Sequence, residues 1–377
     1  MKKKSLWATR VKYLQEISAL KQTIPMRNKV IIFIDKVAAK NKLQVEAINK
    51  SGLRGHFFAY QTNEISRNIL FPNHTLELLS KNPLKQVSQV FNYIRKHSKS
   101  IHHLEIYPGS ILSFYYLLTG KLFGLKIICV ERGDLVYYHS KGYNMITRMS
   151  MRFCYRNSDV VWYRELFMKP VLEKTGAKQL FFLHNSVPID QDEITPQNHR
   201  KNDFLWMNRV LPERRSDWFV QVLKKDLFKN TRNFLIGILP GSSHNREQVY
   251  IEENKTPNLT VKEFISNPKE YYKTSRFFVM PAEFIFANNA LLEAMSYGVI
   301  PLISAQQGSE LIVDNGISGF IFPHTFAGLE EAMQKGLNMN EQALEEMSKA
   351  ARQKMITDFS EEKYINRIQE LYHLIKK

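Results

Sequence analysis

The sequence predicts an α/β protein of two domains, each built on a parallel sheet covered by helices. Three observations lead there. The chain has 377 residues, more than one hydrophobic core comfortably serves. Short apolar runs that read as buried strands alternate with helix-period stretches, as in residues 29–60 and 277–304, the pattern of βαβ units. Charge is divided unequally: residues 1–190 carry 30 Lys/Arg against 12 Asp/Glu, whereas residues 191–377 carry 23 against 24. The halves thus differ in character, one strongly basic and one neutral.

Hydrophobic content of 44% and charged content of 24% place the chain among globular proteins rather than disordered ones. Two cysteines, Cys129 and Cys154, offer neither a disulfide framework nor a metal cluster and fit a reduced cytosol. The longest apolar stretch, residues 111–130, is broken by Gly120, Lys121, Gly124 and Lys126, so it parses as a helix, a turn and a strand rather than a membrane span. The opening MKKK is not followed by an apolar h-region, and no signal peptide is expected. A basic half attracts anionic partners. An anionic membrane surface is the favoured partner and nucleic acid is not expected, since no RNP strand, zinc finger or recognition helix stands out. General basicity of the source proteome is the bland alternative.

The elements follow in order. Residues 5–26 place Leu6, Val11, Leu14, Ile17 and Leu20 at helical spacing among basic residues, an amphipathic helix that docks on the first domain or lies on lipid. KVIIFID (Lys29–Asp35) is a first strand, Lys42–Gly52 a helix ending at glycine, and His56–Tyr60 a second strand. The loop between them holds Lys36 and Lys40, which contact substrate or are simply solvated. Leu84–Ser100 is a helix with a basic end, followed by the strand His102–Tyr107. His97, His102 and His103 straddle that junction without a carboxylate pair, which argues against a metal. An aromatic-rich helix and the strand KIICV come next. The strand ends in Glu131, Arg132, Gly133 and Asp134, where open α/β sheets bind ligands. There Asp134 is a candidate to accept a substrate hydroxyl's hydrogen bond and Arg132 to steady a phosphate, with a structural salt bridge as the equal alternative. A helix around residues 146–153, the strand of Ser158–Glu165 and the segment Met168–Asp190 complete this half. A polar stretch from Asp190 to Asp203, punctuated by Pro196, reads as the domain link.

The second half opens with a strand ending at Met207, then Arg209 and Arg214 five apart, then a helix. Asn233–Gly241 is another strand, and GSSHNRE after it lacks the Gly-Lys-Ser/Thr of a phosphate-binding Walker loop. FFVMP (Phe277–Pro281) is a buried strand. Asn288 or Asn289 caps a short helix in which Leu291, Leu292, Ala294 and Met295 share a face with Glu293 roughly opposite, and Gly298 ends it before VIPLIS. A helix N-terminus at the carboxyl end of a parallel strand suits a diphosphate. Gln306–Pro323 adds a loop, a short helical piece and a Gly-rich turn into a strand. The last helix has Ser360 as its cap, two acids in its first turn, and Tyr364, Ile368, Leu371 and Ile375 in one stripe.

NALLEAMSYGVIPLIS followed by GSELIVDNGISGFIFP resembles the retaining GT-B glycosyltransferases of glycosyltransferase family 4 over some forty residues. Glu293 matches the second Glu of that family's paired-Glu motif and Glu310 the Glu of its Gly-rich loop. The chain departs from the pattern at Ile285, where the family usually has its first Glu, which touches the donor sugar. It departs again at Phe286, Ala287 and Asn288, where the family has Gly-Phe-Gly; Glu283 lies two residues from the missing carboxylate. Met168–Asp190 matches the family's closing segment of the first domain, with HNSVP (His184–Pro188) where that family tends to have Asn-Gly-Val.

The resemblance implies a GT-B fold, two Rossmann-like domains with parallel sheets facing a central cleft. It implies an acceptor-binding domain at residues 1–189, with a C-terminal helix at 359–377 packing back on it, and a nucleotide-sugar-binding domain at 200–358. It implies that Arg209, Arg214 and the Asn289, Ala290 and Leu291 amides hold a donor diphosphate. Glu293 would then hold the ribose, and Phe264 and Ile265 would meet the nucleotide base. Asp134 and Arg132 would lie near the reaction. The implied enzyme moves a hexose from a UDP- or GDP-sugar to a lipid-linked or saccharide acceptor in surface polysaccharide or glycan biosynthesis, with retention and with no metal or cofactor. It would work in the cytoplasm, peripheral on the inner face of the membrane. A non-catalytic GT-B homologue that binds a nucleotide sugar or serves as a scaffold is the alternative.

Overall fold

The computed structural model describes residues 27–37, 41–62, 68–70, 73–131, 133, 143–191, 194–239, 246–284 and 288–376. Expectations for residues 5–26, Lys40, Arg132, Asp134, Ile285, Phe286 and Ala287, and for the Lys36 side chain, lie outside that set.

Two compact units divide the chain. Unit 1 runs to Trp162 and includes Leu172–Phe181 and Ile368–Lys377; unit 2 takes Tyr163–Val171 and Phe182–Arg367. The first sheet is built from β1 (Lys29–Lys36), β2 (Arg54–Gln61), β3 (Thr75–Leu78), β4 (Ile101–Ile106), β5 (Lys126–Val130), β6 (Val160–Tyr163) and β7 (Leu180–Phe182), in the order β3-β2-β1-β4-β5-β6-β7. The pairings from β3 through β6 are parallel. Its connecting helices are α1 (Lys42–Lys50), α2 (Pro83–His97), α3 (Ile111–Leu122), α4 (Met145–Asn157) and α5 (Lys169–Thr175).

The second sheet holds β8 (Asn202–Met207), β9 (Asn233–Ile238), β10 (Leu259–Glu263), β11 (Ser275–Met280), β12 (Ile300–Ser304) and β13 (Phe320–Phe322), in the order β10-β9-β8-β11-β12-β13 and parallel throughout. Its helices are α6 (Ser216–Val222), α7 (Arg246–Asn254), α8 (Lys269–Thr274), α9 (Asn289–Ser296), α10 (Ser309–Ile312), α11 (Phe326–Leu337) and α12 (Glu341–Asp358); α13 (Glu361–Lys376) ends the described chain.

Strand side chains alternate between faces, and both faces of the second sheet are apolar. Phe204, Trp206, Phe277, Val279 and Leu302 enter one core cluster. Their neighbours Leu205, Met207, Phe278, Met280 and Ile303 enter the other. Burial on both sides explains why these strands read as continuous apolar runs. Helix starts are fixed locally. Asn82 accepts hydrogen bonds from the Leu84 and Lys85 amides at 3.0 and 3.2 Å ahead of α2, and Asn340 does the same for Ala343 at 2.8 Å ahead of α12. Each such cap is worth about 1 kcal/mol.

Residues 194–203 of the polar stretch read as a domain link group with unit 2. Arg200 is 3% exposed. Its guanidinium donates to the carbonyls of Thr195, Tyr272, Ser275 and Tyr297 at 2.6–3.0 Å. The segment therefore clamps the ends of α8 and α9. Burial lowers the Arg200 pKa to about 10, and the side chain stays charged at neutral pH. The end of α13 groups with unit 1, where the Tyr372 hydroxyl donates to buried Glu105 at 2.6 Å.

Candidate functional site

The carboxyl ends of β8, β10 and β11 in unit 2 gather most of the residues singled out from the sequence. After β8 the chain turns at Asn208, whose Oδ1 accepts the Arg209 amide at 2.9 Å. Gly237 on β9 makes this turn possible. Its φ is +137°, and a Cβ there would stand 1.7 Å from the Asn208 carbonyl oxygen. Only a residue without a side chain lets the two backbones pass so closely. Arg209 projects from this turn and is exposed.

Pro212–Arg214 form a 3-10 turn, and the Glu283 amide donates to the Glu213 carbonyl at 2.9 Å. That bond ties the loop after β8 to the loop after β11. Arg214 is half-buried. Arg215 is the one non-glycine residue with positive φ, 52°, among those described, a conformation that stores strain of about 1 kcal/mol or more. It is held by a guanidinium stacked 4.3 Å over Trp218 and an ion pair to Asp217 at 3.1 Å. Nε of Arg215, Oγ of Ser216 and Nδ1 of His324 are buried without a hydrogen-bond partner in the structure, a concentration of unspent polar capacity beside Arg214.

The tip of α9 differs from expectation in one respect. The Asn288 carboxamide accepts from the Ala290 amide at 2.8 Å and the Leu291 amide at 3.4 Å. Two of the three amides assigned to the diphosphate are thus met by the protein's own cap, because an Asn at this position reaches N2 and N3 directly. The Leu291 side chain is fully buried, whereas Asn289 is exposed. The Asn289 amide and the positive end of the helix remain for an anion.

One turn on, Glu293 is half-buried. Its Oε2 accepts the Tyr272 hydroxyl at 3.1 Å. Burial raises the carboxyl pKa above its ordinary value, partly offset by that hydrogen bond. The expected place opposite the apolar face is therefore a flank, shielded by Tyr272. Tyr272 is itself fixed by its neighbours, with its ring stacked on Tyr297 at 5.9 Å. Of the two residues assigned to the base, Phe264 has a ring 71% exposed and an amide spent on the Ile238 carbonyl at 3.0 Å. Ile265 packs against the core cluster. The Phe264 ring, rather than its amide, is the group available to a base.

In unit 1, Arg132 and Asp134 lie outside the described residues, but their neighbour Glu131 is fully buried. It accepts the Gly133 amide at 2.7 Å and the Tyr155 hydroxyl, which makes it an anchor for the end of β5. The three histidines do not converge. His102 and His103 meet through their Nδ1 atoms at 2.7 Å, and His103 reaches Glu105 at 3.3 Å. Among the described residues no three His, Cys, Asp or Glu side chains gather as metal ligands.

Unit 2 also holds a half-open pocket of about 340 Å³, lined in part by His184, Asn185, Glu310, Lys354, Lys363 and Arg367. Of these six, only Glu310 and the segment of His184 stand out in the sequence as site candidates. Lys354 bridges Asp314 and Asp358, both at 3.0 Å. The i,i+4 spacing of Lys354 and Asp358 was legible in the sequence; the return of Asp314 to them depends on the fold.

Comparison with known proteins bears on these residues. Residues 189–354 match the family model described as glycosyl transferases group 1. The capsular polysaccharide biosynthesis glycosyltransferase CapM of Staphylococcus aureus is 22% identical over 196 residues, 50% of this chain and 51% of CapM. The chain thus spans about half the length of the curated relative it matches. Among solved structures, a glycosyltransferase from Rickettsia africae ESF-5 superposes with a TM-score of 0.73 at 14% identity, over 93% of this chain and 99% of that one. HepE of Anabaena in complex with UDP gives 0.73 at 11% identity, over 91% and 99%. At such identities a structural likeness shows the fold alone. The chain has the GT-B fold and resembles the glycosyltransferases of family 4, a resemblance carried by residues 189–354.

Proposed function

We propose that this protein transfers a hexosyl group from a UDP- or GDP-sugar to a lipid-linked or saccharide acceptor, in the assembly of a surface polysaccharide or glycan. The observation that carries the reading is the loop after β8. It offers exposed Arg209 and half-buried Arg214 on a backbone locked by Gly237, beside the capped N-terminus of α9. The match of residues 189–354 to the glycosyl transferases group 1 model supports it, as does the likeness to CapM.

In this reading the two guanidinium groups hold the donor diphosphate and gain most as charge develops on it during departure of the sugar. The Asn289 amide and the α9 dipole add to them. Glu293 accepts the ribose hydroxyls, and Tyr272 fixes its orientation. The exposed Phe264 ring stacks on the base. Asp134 and Arg132, which follow β5, serve the acceptor hydroxyl and the reacting region. Configuration is retained, with no protein nucleophile, and the arginines do the work that a metal ion does elsewhere. The basic first half holds the protein against an anionic membrane at its cytoplasmic side, where a lipid-linked acceptor resides.

The test is sugar transfer or donor hydrolysis with UDP- and GDP-hexoses. Arg209→Ala or Arg214→Ala is expected to lower kcat/KM by about 10²–10³-fold, the loss typical of one charge-stabilising donor. Binding of a nucleotide sugar with no turnover, unchanged in both variants, would sink the reading.

A further inference from the structure

The strongest feature outside the donor site is a surface of unit 1. Helices α2, α3 and α4 lie side by side on one face of the first sheet. Gln86 of α2 donates to the Tyr116 hydroxyl of α3, and Phe114 of α3 meets Phe153 of α4 at 4.7 Å. Their outward side is unusual in two independent ways.

The first is apolar exposure. On α3, Ile111, Tyr115, Leu118 and Leu122 stand at i, i+4, i+7 and i+11, one stripe along the helix, and are 40–70% exposed. On α4, Met145, Ile146 and Met149 are 61–72% exposed. Ser150 of α4 donates to the Ser110 carbonyl at the start of α3, at 3.0 Å, so the two exposed sets are neighbours. Scattered surface leucines need no explanation, but a contiguous apolar ridge on adjacent helices marks a docking surface.

The second is charge. The three helices carry seven Lys/Arg and no Asp or Glu. On α4 the exposed stripe continues from Met145 and Met149 into Arg152 and Arg156, at the same helical spacing. An apolar ridge continued by cations fits the boundary between headgroups and acyl chains of an anionic bilayer, with the arginines at headgroup level. A protein partner of matching shape would require no such uniform sign.

We propose that the α2–α3–α4 face of unit 1 is the surface by which this protein lies on an anionic lipid bilayer, with the α3 and α4 apolar stripes entering the interface. This deepens, and rests on, the peripheral membrane contact proposed above; it assigns that contact to one face.

The experiment is co-sedimentation of the full chain with vesicles of phosphatidylcholine alone or with 30% phosphatidylglycerol, at ~0.1 and ~0.5 M salt. The wild type is expected to partition onto the anionic vesicles and to leave them at high salt. Leu118→Glu/Leu122→Glu/Met149→Glu and Arg152→Glu/Arg156→Glu are each expected to weaken partition at least about tenfold, with UDP binding unchanged. These positions are exposed, and circular dichroism checks that the variants fold. A wild type that ignores anionic vesicles overturns the membrane contact itself. Face variants that bind like the wild type, while Lys2, Lys3 and Lys4→Glu abolish binding, overturn the assignment to this face and leave the contact standing. Loss of self-association in the stripe variants, without any vesicle binding by the wild type, overturns both and makes the face a protein interface.

Discussion

The two units share an architecture but place their charge differently. Unit 2 belongs almost wholly to the neutral half of the chain, yet it sets three cations together: Arg209, Arg214 and Arg215 follow one strand and are set by glycine, turn and stacking geometry. Unit 1 lies in the half with 30 Lys/Arg against 12 Asp/Glu, but spreads them over helix surfaces such as that of α4. A few cations fixed in one place can recognise a diphosphate; many spread over a face can only sense a charged surface. In the function proposed here, net charge therefore marks the unit that meets a surface, and local geometry the unit that reads a ligand.

The largest effect that would break this contrast is at Gly237. Alanine there meets the Asn208 carbonyl oxygen at 1.7 Å in a backbone conformation with φ of +137°. The expected cost is about 3 kcal/mol or more, seen as a lower urea midpoint for unit 2 together with loss of nucleotide binding. Normal binding by a fully stable Gly237→Ala protein would show that the loop after β8 is not locked as described.

The next effect belongs to unit 1. His56 is 6% exposed on β2, and burial lowers its pKa to about 4 despite the pull of Glu77. The unfolded chain, with an ordinary imidazole, then binds more protons between pH ~6.5 and ~4. Stability is lost as pH falls through that window, by an amount on the order of 3 kcal/mol. Urea melts at pH 7 and 4.5 should show this loss in the wild type and a smaller one in His56→Gln. Equal losses would place the acid sensitivity elsewhere.

Glu293 sharpens the comparison on the side of unit 2. Burial raises its pKa, so the carboxylate is lost at a pH above the ordinary carboxylate value. The ionised form is the stronger acceptor for a ribose hydroxyl. Nucleotide affinity is expected to fall on acidification in the wild type, and Glu293→Gln is expected to bind several-fold more weakly at pH 7 without that acid limb. Titration of UDP between pH 7.5 and 5 tests this, and parallel profiles would remove Glu293 from the ribose. The smallest effect is at Asn288. Alanine removes the α9 cap at about 1 kcal/mol of stability while releasing the Ala290 and Leu291 amides. Diphosphate affinity is therefore expected to hold or rise. A pronounced loss would show that the Asn288 side chain itself contacts the donor.

Much of this was legible in the sequence, for physical reasons. Strands such as KVIIFID and FFVMP announce themselves because both faces are buried, and the Asn288 cap because so few side chains can serve there. The pair Arg209 and Arg214 stood out through spacing and family resemblance. Other features depend on partners distant in sequence. Arg200 reads as a solvated linker residue, yet three of the four carbonyls it binds belong to Tyr272, Ser275 and Tyr297. Gly237 does not stand out within the strand Asn233–Gly241; its role appears only where the Asn208 turn passes over it. The capping of α9 was foreseen as a helix start, but not its consequence that two amides are no longer free for an anion.

The most direct measurement is calorimetric titration of UDP and GDP, with uridine and guanosine for comparison, into the wild type and Arg209→Ala/Arg214→Ala. If the two guanidinium groups hold the diphosphate, the double variant loses at least about a hundredfold in diphosphate affinity, while its weak nucleoside binding is unchanged. Equal affinity of the wild type and the double variant for the diphosphates would contradict it.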